Sequence, residues 1–110
     1  MRAYVYLIIA IAAEVVATSA LKRTEQFTKL LPSLTVAIGY LVAFYFLTLV
    51  LNSISVGVTY AMWSGMGIVL VTVVSAVVYG EVPDLAAILG MTLIVVGVVI
   101  MNIFSSTVTH

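Results

Sequence analysis

Four apolar runs, at residues 4–21, 34–51, 58–79 and 85–104, occupy most of this chain. Each is close to the roughly 20 residues that carry an α-helix across about 30 Å of hydrocarbon. The segments between them are short and hold the punctuation: "KRTEQFTKLLPS" with Pro32, "NSISVG" ending in Gly57, and "GEVPD", where Asp84 is placed to cap the fourth helix. Links this short make neighbouring spans antiparallel. The expected fold is an all-α membrane protein, with residues 1–110 forming a single four-helix transmembrane domain.

Charge placement supports the spans. Only 7% of the 110 residues are charged, against 65% hydrophobic, and the four basic and four acidic residues cancel. Such a composition belongs in a bilayer and offers no basic stripe for nucleic acid. With no cysteine, thiolate catalysis and cysteine metal sites are excluded, and the single histidine, His110, reads as a solvated chain end. No metal, no cofactor and no enzymatic activity are expected, because no nucleophile–base pair or ligand set is present. Arg2 stands on one side of the spans and Lys22, Arg23 and Lys29 on the other. This small bias specifies orientation weakly, so that insertion both ways is compatible with it.

Every charged residue except Glu14 lies in a connector or beside a terminus. Glu14 lies within about 5 Å of the middle of its span, at roughly 1.5 Å per residue. A charge at that depth costs at least about 2.5–3.5 kcal/mol, and such residues face a cavity or partner and mark an ion or substrate path. The alternative is a protonated acid making one interhelical hydrogen bond. The first span also has the outline of a cleavable leader, with Arg2 ahead of the apolar stretch and "ATSA" before Lys22; an acid inside it argues for a retained span. Helical spacing puts Leu7, Ala10, Ile11, Ala17, Thr18 and Leu21 on the face of Glu14. The small residues there leave room beside the carboxylate, or serve close helix contact.

In the third span, "YAMWSGMG" sets Tyr60, Trp63, Ser64 and Gly67 on one face. Tyr4, Tyr6 and Tyr79 suit an interfacial belt, whereas Trp63 is too far inside its span for that role. Aromatic rings opposite a buried carboxylate suit a greasy, delocalised or quaternary cation. Tyr40 and Phe44, one turn apart, extend the same wall. Gly65 and Gly67 remove two side chains mid-helix, where backbone can bend or a partner approach.

"AEVVATSALK", "EQFTKLLPS", "VGVTYAMWSGMGIVL" and "GMTLIVVGVVIMN", in this order and at this length, resemble the small multidrug resistance transporters over nearly the whole chain. The resemblance implies an antiparallel homodimer in a bacterial or archaeal inner (plasma) membrane, with three helices of each protomer around the site. It implies proton-coupled export of aromatic and quaternary ammonium cations, the carboxylate matching Glu14 binding proton and substrate in turn. By the same matching, Tyr4, Tyr40, Tyr60 and Trp63 fall on binding-chamber positions, Gly65 and Gly67 on a bend of the third helix, and Gly90 and Gly97 on the dimer contact of the fourth. The guanidinium-exporting branch resembles "EVVWA" and "WTG", while this chain has "EVVATS" and "WSG", so Ala17 and Ser64 favour the polyaromatic-cation branch. Guanidinium export, a heteromeric partner chain, and a non-transporting proton-bearing membrane subunit stay open as alternatives.

Overall fold

The computed structural model describes residues 2–105, so His110 lies outside the described residues. Four α-helices follow in order, α1 (Arg2–Ala20), α2 (Leu30–Val50), α3 (Val56–Tyr79) and α4 (Leu85–Phe104), with a 3-10 turn, Leu21–Thr24, prolonging α1. All four are long and apolar enough to cross a membrane. The end of α1 meets the end of α3, where the Tyr79 hydroxyl donates to the Ser19 carbonyl at 2.6 Å. The start of α1 meets the end of α4, where Tyr4 donates to Asn102 Oδ1 at 2.6 Å. Successive spans therefore alternate in direction.

Two connectors are shorter than their composition suggests. Pro32 reads as loop punctuation, yet α2 already begins at Leu30 and takes Pro32 into its first turn. Proline lacks only an N–H there, and the first N–H groups of a helix have no intrahelical acceptor. Likewise α3 begins at Val56, so Gly57 is its second residue. The other two ends follow local chemistry. Gly80 terminates α3 in left-handed backbone (φ 69°), which glycine adopts without a Cβ clash. Asp84 Oδ1 accepts the Ala87 N–H at 2.9 Å and caps α4.

The link from α1 to α2 is unusual. Glu25, Gln26 and Phe27 all have positive φ (47°, 64° and 66°), and none is glycine. Left-handed backbone costs such residues about 1–2 kcal/mol each. Thr24, 2% exposed, holds the turn together. Its hydroxyl donates to the Leu21 carbonyl at 2.7 Å and accepts the Phe27 N–H at 3.2 Å. Its carbonyl takes the N–H groups of Thr28 and Lys29 at 2.9 and 3.1 Å.

Inside the protomer, α1 is the central helix, burying Ala3, Leu7, Ala10, Ile11, Val15 and Ala17. Against it α2 turns Val36, Ala43 and Val50, one side chain every two turns. Gly39 sets how closely the two approach: a Cβ there would lie 2.8 Å from Ala17 Cβ and 3.0 Å from the Ala13 carbonyl oxygen. Backbones this near are the familiar result of small residues between membrane helices. By contrast α4 buries only Val98 and is the least covered span.

Candidate functional site

Glu14 sits two turns before the end of α1, half-buried, with its two carboxylate oxygens in different surroundings. Oε1 accepts the Thr18 hydroxyl at 2.7 Å, one helical turn on. Thr18 Oγ1 is 2.6 Å from the Tyr40 hydroxyl of α2. Because the single Thr18 proton is directed to Glu14, the Tyr40 O–H is the donor in the second bond. The result is a relay, Tyr40 to Thr18 to Glu14, in which Thr18 alone touches Oε1 and Tyr40 supports it from α2. Oε2 is buried and has no hydrogen-bond partner among the described residues. It lies against the bare backbone of α3: a Cβ built on Gly67 would come within 2.9 Å of it. Gly67 is thus the seat of the carboxyl group.

Around the acid lies a cavity of about 390 Å³ whose lining includes Thr18, Tyr60, Trp63, Ser64 and Gly67. Its two aromatic residues, Tyr60 and Trp63, continue a ladder of rings from Tyr40 and Phe44 of α2. Tyr40 stacks with Phe44 (centroids 6.1 Å apart, 18° between planes), Phe44 meets Trp63 edge-on at 5.9 Å, and Trp63 meets Tyr60 at 5.7 Å. Ring faces carry negative electrostatic potential, so the ladder and the carboxylate act in the same sense on a cation. The Trp63 indole N–H is buried without a partner among the described residues. Tyr60 and Phe44 remain 63% and 52% exposed, so the aromatic ladder is open on that side.

The other residues singled out in the sequence are placed elsewhere. Tyr4, Leu7 and Ile11 line a second cavity of about 420 Å³, with Met62, Met66 and Val98, between α1, α3 and α4. They lie toward the start of α1, level with the C-terminal half of α4, so the predicted face of Glu14, to which Leu7 and Ile11 belong, passes from one cavity to the other along its length. Tyr4 is committed to Asn102 there. Ala10 and Ala17 have no exposed surface, and Ala17 meets Gly39 in the α1–α2 contact. These two serve packing in this conformation. The α3 helix is continuous through Gly65 and Gly67. Gly65 admits α4, since a Cβ there would lie 2.9 Å from Ile94 Cγ2 and 3.0 Å from Val98 Cγ2. Gly90 and Gly97, seven residues apart, face open space.

Sequence reasoning passed over two residues. Gly39 carried a signal, being a glycine inside an apolar run, where close helix approach is the usual reason. Asn102 is an amide beside the end of the fourth run, and a polar group at that depth needs a partner.

A family model described as Small Multidrug Resistance protein matches residues 2–94. The chain is 53% identical over 110 residues to quaternary ammonium compound-resistance protein QacE of Escherichia coli, with 100% of both chains covered. It is also 53% identical over 110 residues to a multidrug transporter of Pseudomonas aeruginosa, again covering 100% of each. Identity to quaternary ammonium compound-resistance protein QacC of Staphylococcus aureus is 44% over 104 residues, 94% of this chain and 97% of that one. With four apolar helices and a family match across most of its length, this chain is a multi-pass membrane protein belonging to the small multidrug resistance family of transporters.

Proposed function

We propose that the chain is a proton-coupled antiporter that exports hydrophobic aromatic or quaternary ammonium cations, with Glu14 binding proton and substrate competitively. The observation that carries this reading is one carboxylate, the only acid within a span, set beside a ladder of four aromatic rings. Competition follows from charge. A proton on Glu14 removes the anion that attracts the drug, and a bound cation stabilises the anion and expels the proton. Protonation of Glu14 therefore weakens cation binding, and substrate binding releases protons. Resistance to quaternary ammonium compounds in the names of the relatives supports this substrate class.

The working unit in this reading is an antiparallel homodimer in a bacterial inner membrane. A half-open chamber needs a second copy to close it, and the glycines Gly90 and Gly97 on the little-covered α4 allow close helix contact. The weak Lys/Arg bias accords with protomers inserted both ways.

The deciding experiment adds ethidium to detergent-solubilised protein in weak buffer and follows proton release. The wild type should release protons, while Glu14→Gln, which keeps the shape and removes the titratable charge, should release none. Proton release at the wild-type level from a folded Glu14→Gln variant would overturn the mechanism.

A further inference from the structure

Away from the Glu14 chamber, the C-terminal ends of α1 and α3 leave a groove of about 310 Å³. Val15, Val16, Val74 and Val78 wall it, and Ser19, Arg23 and Tyr79 stand toward its charged end. Tyr79 is fixed there by its bond to the Ser19 carbonyl, and its ring is approached by Lys22 Nζ at 5.1 Å and Arg23 Cζ at 5.5 Å. The two cations differ in what neutralises them. Lys22 pairs with Glu81 at 2.5 Å, whereas Arg23 has no ion-pair partner among the described residues. Ser19 adds a hydroxyl whose oxygen is buried and without a hydrogen-bond partner among the described residues.

Apolar walls in a bilayer are covered by acyl chain, so the open question for this groove is which head group sits above it. An uncompensated guanidinium with paired N–H donors favours a lipid whose phosphate charge is not cancelled within its own head group over a zwitterionic one. Ser19 lies about 6 Å deeper than Arg23 along the helix, which suits the ester level of a glycerolipid whose phosphate is on Arg23. We propose that this groove is a binding site for one anionic phospholipid, its acyl chain along the four valines and its phosphodiester on Arg23. The charges of Lys22 and Glu81 cancel beside it, and Lys29 is held by Glu25 at 3.6 Å. Selectivity therefore rests on Arg23.

The test reconstitutes the full chain in phosphatidylcholine vesicles and compares the motionally restricted fractions of spin-labelled phosphatidylglycerol and phosphatidylcholine. A preference on the order of five-fold for phosphatidylglycerol is expected from one added basic contact. Arg23→Gln should bring it close to one, Arg23→Lys should retain part of it, and Lys29→Gln should leave it unchanged. Val74→Trp, which fills the groove with Arg23 intact, should also lose it; if that variant lacks native helix content, Val78→Phe at a more exposed wall position replaces it. Preference retained in Arg23→Gln or in the folded groove-filling variant overturns the proposal. So does an equal fall in Lys29→Gln, which would reveal diffuse surface charge. None of these readouts depends on transport.

Discussion

Gly65 and Gly67 stand two residues apart on α3 and do different work. Two residues turn a helix by about 200°, so the bare positions open on opposite sides. Through Gly65 the helix receives the methyl groups of Ile94 and Val98 from α4; against Gly67 lies the Glu14 carboxyl from α1. One vacancy is filled by hydrocarbon that has no reason to leave. The other is filled by a group that, in the proposed cycle, exchanges a proton for a cation and needs space to do so. The absence of a side chain thus serves permanent packing on one face of α3 and a changeable occupant on the other.

Adding a methyl group at each position is the most direct way to break that contrast. Gly67→Ala should have the largest effect, abolishing drug-driven proton exchange, because the new Cβ would meet Oε2 at 2.9 Å and displace the carboxyl. Proton flux in proteoliposomes checks it, with helix content retained. Gly65→Ala should lower stability by about 1–3 kcal/mol through overpacking against α4, with ethidium affinity per folded protein kept. Unfolding in a denaturing detergent reads this, and adding Ile94→Ala should recover part of the loss. If both variants lost exchange and stability alike, the two faces would not be separable.

Smaller changes sharpen the comparison. Thr18→Val removes the donor to Oε1 and breaks the relay from Tyr40, so the ionised acid should be disfavoured by about 1–3 kcal/mol. The expected outcome is weaker ethidium binding at a given pH, visible by fluorescence titration, with stability little changed. Tyr4→Phe acts on the far cavity, where loss of the bond to Asn102 should cost about 0.5–1.5 kcal/mol of stability. Ethidium affinity should stay within about two-fold, about 0.4 kcal/mol, because Tyr4 lines the cavity away from Glu14; a larger drop would draw Tyr4 into the cation site.

Much of this arrangement was visible in the residues. The four spans follow from apolar length, and Glu14 stood out as the single acid away from any connector. The shared face of Tyr60, Trp63, Ser64 and Gly67 follows from helical spacing. What spacing cannot supply is the neighbour on each face. Gly65 and Gly67 look alike in "SGMG", and only the packed helices assign one to α4 and the other to Glu14. Leu7 and Ile11 share the helical face of Glu14, yet that face is long enough to cross from one cavity into another. Pro32 misled because a proline in the first turn of a helix and a proline in a loop are the same letter. The turn at residues 25–27 carried no signal, since "EQF" has none of the glycine or asparagine that usually occupies left-handed backbone.

That turn bears on how the protein is made. Its strained backbone is held by the Thr28 and Lys29 N–H groups on the Thr24 carbonyl, and the hairpin it joins is aligned by Gly39 against Ala17. All of these contacts lie within residues 17–39, so the first two helices can make them without the third or fourth. Tyr40 belongs to the second helix of that hairpin and completes the relay to Thr18 and Glu14. The hydrogen bonding of Oε1, direct from Thr18 and through it from Tyr40, is thus complete within the first two spans.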